Sequence, residues 1–192
     1  MSSAQPARRM WTYGDLAALP DDQLRHELID GEHFVSPSPD TGHQSISLNL
    51  VRLLLPYIDE HDSGQLLYAP FDVKLSLFTV LVPDLVYFTA ERFARVVNDK
   101  HATAAPDLVV GILSPGTRRR DKGRKRAVYD REGVGEYWIV DPESRSITAL
   151  RRPRAGGGLT DVTTLTLEAG GVLESPLFPG LRIPLRDVFR GR

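Results

Sequence analysis

Acidic and basic side chains held at one end of a β-sheet are the chemistry this sequence most plainly offers. Asp121, Lys125 and Tyr129 recur at i, i+4 and i+8, a spacing that puts them near one face of a helix. That helix directly follows a strongly apolar run around Gly111, and a second strand-like run carries Asp84. Glu27 stands further upstream. A carboxylate on a strand and an ammonium on the next helix can share a pocket at a sheet end. Such a set suits phosphodiester cleavage. Carboxylate oxygens hold Mg²⁺ or Mn²⁺, and the ion lowers the pKa of a bound water and stabilises charge at phosphorus. A lysine positions that water or neutralises developing charge.

The elements that must position these residues are legible as patterns. Asp15 to Ile29 reads as a short helical region interrupted at Leu19-Pro20 and restarting at Asp21 or Asp22, either of which can cap it. Glu27 to Val35 then reads as a helix end, a turn at Asp30-Gly31 and a strand. Ser36 to Thr41 is a loop. Gly42 to Ile58 is the clearest helix, with Ile46, Leu50, Leu53, Leu54 and Ile58 forming one apolar stripe. Pro56 bends it or ends it early.

Strand-like runs follow at Leu66 to Tyr68, Phe71 to Leu77 and Val80 to Phe88, and Asp107 to Leu113 reads as a strand buried on both faces. A helix from about Arg118 to Arg131 is capped by Ser114 or Thr117 and stopped at Gly133. Glu136 to Asp141 and Ser146 to Leu150 form a hairpin, and Leu159 to Phe189 reads as short strands with Gly-Gly and Pro-Gly turns.

Bulk composition bounds the rest. A chain of 192 residues suits one domain, and 41% hydrophobic with 26% charged residues is ordinary globular composition. There are no cysteines, which excludes disulfides, cysteine zinc sites and a thiol nucleophile. No apolar run approaches the ~20 residues a membrane helix needs. Residues 1–10 read as a disordered lead-in, not a secretory signal, and residues 11–192 as one cytoplasmic domain. Histidines at metal-ligand spacing, a Gly-x-Ser-x-Gly elbow and a phosphate-binding Gly-rich loop are all missing. Net charge is −1, yet residues 118–126 hold seven basic side chains in nine.

Several motifs in order make a more specific pattern. They are Tyr13-Gly-Asp-Leu, Glu27-Leu-Ile-Asp-Gly-Glu, Ser36-Pro-Ser-Pro followed by His43-Gln44, and Val82-Pro-Asp84-Leu. Next come Ala105-Pro-Asp-Leu-Val-Val with Leu113-Ser-Pro-Gly-Thr, then Asp121-x-x-x-Lys125-x-x-x-Tyr129, then Gly133-Val-x-Glu-Tyr-Trp-Ile-Val-Asp-Pro. Over about residues 12 to 189 this set resembles the Uma-two family of bacterial restriction-endonuclease-like domains.

The resemblance implies an α/β (α+β-like) PD-(D/E)XK core: a central mixed sheet flanked by helices, with extra C-terminal strands. It implies catalytic roles for Glu27, Asp84 and Lys125. Asp84 and Glu27 would hold Mg²⁺ or Mn²⁺, with Glu27 contributed by a helix. His43, Asp121 and Tyr129 would support them. It also implies DNA as the partner and a homodimer. One position departs: where the family's run reads Val-Val-Glu-Val-Leu-Ser-Pro, this chain has Gly111. Glycine supplies no ligand and weakens a strand interior. Asp107, four residues and roughly 13 Å along the strand, cannot easily substitute. The implied activity is therefore a metal-dependent DNA endonuclease with impaired catalysis. The alternative is an inactive relative that binds nucleic acid or a protein partner.

Each residue also has a plainer reading. Asp84 fits a solvated turn after proline, Lys125 a surface charge, and Glu27 a helix-end pair. His43 fits a cap for the apolar helix, and Asp121 with Tyr129 an ion pair and a packing residue. Arg118, Arg119, Lys122 and Arg126 are candidates for phosphate contact, or else parts of a solvated helix face. Tyr137 and Trp138 point to opposite faces of their strand and read as core.

Overall fold

Along the chain the elements are α1 (Tyr13–Ala17), β1 (Arg25–Ile29), β2 (Glu32–Ser36), α2 (Thr41–His61), β3 (Gly64–Tyr68), β4 (Asp72–Lys74), β5 (Val80–Leu81), β6 (Leu85–Thr89) and α3 (Ala90–Val96). There follow β7 (His101–Ala102), β8 (Leu108–Ile112), α4 (Arg118–Arg120), a π-helical turn (Asp121–Lys125) and α5 (Arg126–Arg131). The chain closes with β9 (Glu136–Asp141), β10 (Ser146–Arg151), β11 (Asp161–Thr166), β12 (Val172–Leu173), β13 (Ile183–Pro184) and α6 (Leu185–Val188). This computed structural model describes residues 9–22 and 24–191. Of the expected lead-in, all but Arg9 and Met10 lie outside the described residues.

Among the described residues three sheets form: six strands in the order β11-β10-β9-β8-β6-β3, five in the order β2-β1-β5-β4-β7, and the pair β12-β13. In the large sheet β8 and β9 run parallel and the other neighbours antiparallel, so the sheet is mixed, as expected. The apolar run at Leu108 sits mid-sheet because both of its faces are covered. Leu108, Val110 and Ile112 pack against Ile46, Leu50, Leu54 and Ile58 of α2, a stripe worth roughly 1.5–3 kcal/mol per buried side chain. Val109 and Leu113 point the other way, into a cluster with Val128, Tyr129 and Tyr137. Gly111 shares that second face.

The expected α2 is longer than its pattern. Asp40 accepts from the His43 N–H at 2.7 Å as N-cap, and the helix runs through Pro56 to His61. Burial of Leu54 and Ile58 on either side of Pro56 offsets the one hydrogen bond it removes.

Two expectations are corrected. Glu27 is not helical: α1 ends at Ala17, and Arg25–Ile29 is a strand. Asp30 and Gly31, at φ 50° and 76°, make a two-residue turn that folds β1 back on β2. Second, Val80 to Phe88 is not one strand. It splits at Val82-Pro83-Asp84, with β5 in the five-stranded sheet and β6 in the six-stranded one. Pro83 has no N–H for a ladder, so the chain can change sheets there. Asp84 closes that link, between the sheets.

Candidate active site

The sheet-to-sheet link holds Asp84 by its carboxylate. Oδ2 accepts from the Ile112 N–H at 2.7 Å, and Oδ1 accepts from Arg25 Nη1 at 2.8 Å. His43 Nε2, from the first turn of α2, stands 3.3 Å from Oδ1. Burial alone would raise the pKa of Asp84. The hydrogen bond and charge of His43, with Arg25 and the Ile112 amide, outweigh it and hold the carboxyl at about 2.

Glu27 lies beside this link on β1, where strand alternation points it inward with Arg25 two residues earlier. Its Oε1 accepts from the Val82 N–H at 2.9 Å and from Lys125 Nζ at 2.8 Å. Its Oε2 is buried with no hydrogen-bond partner, 3.7 Å from Arg120 Nη2.

Lys125 also reaches Asp121 Oδ1 at 3.1 Å, so one ammonium bridges two buried carboxylates. Burial works against the charge on Lys125, but Glu27 and Asp121 prevail and raise its pKa. The two ends of the i, i+4 pair bound a π-helical turn, a local widening that often accompanies functional sites. Tyr129, one turn further, is buried edge-on against Tyr137 with ring centroids 4.8 Å apart. Burial pushes both phenols well above the ordinary tyrosine value.

The fold thus gathers Glu27, His43, Asp84, Asp121, Lys125 and Tyr129 around one cleft of about 590 Å³, and Gly111 lines it with them. Arg25 and Tyr137 line it too. Sequence reasoning assigns neither of them to the site. Arg25 is hidden by reading β1 as helix, which obscures its i, i+2 relation to Glu27. Tyr137 belongs to the core, as its pattern implies, but its hydroxyl reaches the Asp121 carbonyl at 3.3 Å beneath the site. Asp107 lies elsewhere, accepting from the Thr89 N–H at 2.8 Å and pairing with Arg92.

The basic run does not form one patch. Arg118 forks onto Asp141 at 2.6 and 2.9 Å and also meets Glu143. Lys122 Nζ is 3.4 Å from Asp141, Arg120 bonds Ser36, and Arg124 pairs with Glu32. Among the described residues only Arg119 and Arg126 of this run are exposed with no acidic partner.

A divalent ion does not fit this arrangement. Among the described residues no group of three His, Cys, Asp or Glu side chains is placed to hold a metal. Asp84 is satisfied by Arg25, His43 and an amide, and Lys125 takes the space between Glu27 and Asp121. Glu27 Oε2 is buried without a hydrogen-bond partner, Asp121 is engaged through Oδ1 by Lys125, and Gly111 adds no oxygen. Mg²⁺ and Mn²⁺ need several oxygen ligands at once. No described helix is long and apolar enough to cross a membrane.

Comparison with known proteins agrees with this architecture. A solved structure described as "a putative nuclease belonging to DUF820" from Anabaena variabilis ATCC 29413 superposes with a TM-score of 0.76 at 18% identity, covering 93% of this chain and 97% of that one. At that identity the likeness shows a shared fold. No curated protein matches the chain. Residues 13–186 match the model of the Uma2 (Uma-two) family, described as "Putative restriction endonuclease". The chain belongs to the Uma2 family.

Proposed function

We propose that this chain is a nuclease-fold protein directed at DNA phosphodiesters, with its hydrolytic chemistry impaired. The observation that carries this reading is Gly111. It lines the same cleft as Asp84, Glu27 and Lys125, at the position where the resemblance puts a strand carboxylate. Glu27, Asp84 and Lys125 are the residues proposed for catalysis. His43 positions Asp84, while Asp121 and Tyr129 hold and wall in Lys125. Mg²⁺ or Mn²⁺, implied by the resemblance, would have to displace Arg25 or Lys125 to reach these carboxylates. Hydrolysis therefore lacks an ion site in the folded chain as it stands.

Residues 11–192 are proposed to act as one cytoplasmic domain, paired as a homodimer. Two copies would suit a duplex substrate, and sedimentation at micromolar concentration tests the pairing.

The test is cleavage of plasmid and oligonucleotide with Mg²⁺ or Mn²⁺ by wild type, Gly111→Glu and Asp84→Ala. Activity that rises in Gly111→Glu and falls when Asp84→Ala is added supports the reading. Wild-type cleavage abolished by Asp84→Ala would overturn the impairment. A second reading, binding without cleavage, is favoured by the ion pairs that already neutralise Asp84 and Glu27. DNA binding in a mobility assay, with no cleavage by either wild type or Gly111→Glu, would select it.

A further inference from the structure

A second cavity of about 480 Å³ adjoins the first: Asp84 lines both, and Gly111 lines only the first. The two hollows share Arg25, the loop 37–39, His43, Val82 and Asp84 as a common wall. They are two arms of one groove, with Asp84 at the bend. The second arm differs in chemistry from the first. Its rim carries Tyr68, which is 67% exposed although it is a large aromatic side chain at a strand end. Tyr68 is the register partner of Leu85, the residue after Asp84, so the exposed ring is fixed beside the bend. Pro39, Pro70 and Leu24 add flat apolar wall.

Asp72 lines the same arm. Asp72 is half-buried, and its carboxylate accepts no hydrogen bond from the described residues and stays open to solvent. Gln44, on the first turn of α2, supplies an amide. An apolar wall, an exposed aromatic ring and an open acceptor are what an unpaired nucleobase uses. The ring and prolines receive its face, and a carboxylate accepts from an exocyclic amino group.

We infer that this arm is a nucleobase subsite, which seats an unpaired, amino-bearing base on Tyr68 with Asp72 accepting from its edge. The inference rests on the proposed action on DNA and extends it. The strand that crosses Asp84 is single-stranded or locally opened on this side. A base-paired nucleotide presents neither its free Watson–Crick edge to Asp72 nor an open face to Tyr68. Thymine has no exocyclic amino group, so the subsite prefers adenine and cytosine over thymine.

The experiment is fluorescence anisotropy of full-length protein with labelled oligo(dA), oligo(dC) and oligo(dT) of equal length, a duplex of the same length, and an abasic strand. Wild type is expected to bind oligo(dA) and oligo(dC) more tightly than oligo(dT), the duplex or the abasic strand. Tyr68→Ala is expected to weaken oligo(dA) about tenfold, Tyr68→Phe to leave it near wild type, and Asp72→Asn to erase the preference over oligo(dT). The exposure of Tyr68 makes its variants safe for folding, and a thermal melt verifies that they and Asp72→Asn fold. If wild type binds the strands but Tyr68→Ala binds equally well and the abasic strand is not penalised, the subsite is overturned while the DNA reading stands. If wild type binds none of them with or without Mg²⁺, the DNA reading itself fails, and the subsite with it.

Discussion

Gly111 and Tyr137 divide one space: a β-carbon built on Gly111 would lie 2.9 Å from the Tyr137 hydroxyl and 3.3 Å from its Cε2. Tyr137 sits on the neighbouring parallel strand, two residues before Ile139, the register partner of Gly111. The missing side chain has therefore not left a simple void. The tip of a buried tyrosine fills the approach, tied to the Asp121 carbonyl at 3.3 Å.

Restoring a carboxylate at position 111 should accordingly require Tyr137 to yield. Gly111→Glu alone is expected to lower stability by about 1–3 kcal/mol through overpacking. Gly111→Glu with Tyr137→Phe, which deletes the nearest atom, should lose clearly less than the two single changes summed. Urea unfolding of the four proteins measures the coupling. In the same set, Mn²⁺ should raise the melting temperature only of the two proteins that carry the Gly111→Glu change, because an ion that binds only the folded state stabilises it. Equal Mn²⁺ shifts in wild type would refute the misfit between a divalent ion and the native cleft.

Lys125→Met probes the bridge across the cleft. The ammonium holds Glu27 at 2.8 Å and Asp121 at 3.1 Å, and all three side chains are buried. Removing one partner of a buried pair leaves uncompensated charge, so Lys125→Met should cost about 3–5 kcal/mol at neutral pH. Adding Glu27→Gln to Lys125→Met should recover part of that loss. A neutral Lys125→Met would mean that water reaches these carboxylates.

Much of the fold is legible in the residue pattern alone. The 3.6-residue stripe from Ile46 to Ile58 has one stable use, packing on an apolar sheet face, and it meets Leu108, Val110 and Ile112. Asp121, Lys125 and Tyr129 at four-residue intervals come together because helical geometry is local. What the pattern hides is non-local. Glu27 reads as helical because Arg25–Ile29 carries a short apolar pattern compatible with either helix or strand, and pairing with β2 and β5 decides it. Arg25 escapes notice for the same reason. The partners of Arg118, Arg120 and Arg124 lie on other elements, so a run of seven cations gives no sign that most are neutralised.

Asp84 should leave a signature in acid unfolding. Its folded pKa of about 2 lies below the ordinary 3.8. Ionised Asp84 therefore stabilises the fold above about pH 4, and that contribution vanishes as pH falls towards 2. The full effect is about 2 kcal/mol. Denaturation midpoints of wild type should drop across this window more steeply than those of Asp84→Asn, which has no proton to take up. Matching slopes would show that Arg25 and His43 do not stabilise the charge as their distances imply.

The basic run makes a last, opposed pair of expectations. Arg119 and Arg126 are exposed with no acidic partner among the described residues, so their charge is available to phosphate. Arg118 is forked onto Asp141 and meets Glu143. If DNA is the partner, Arg119→Ala and Arg126→Ala should each weaken binding across all sequences and reduce the slope of log affinity against log salt by about 1. Neither change should alter stability, because no ion pair among the described residues uses those guanidinium groups. Arg118→Ala should do the reverse, leaving the salt slope near wild type while lowering the melting temperature, since Asp141 then loses both parallel hydrogen bonds. Equal loss of salt slope in all three variants would show that DNA pulls Arg118 away from Asp141 on binding, and that the cleft wall it lines opens with it.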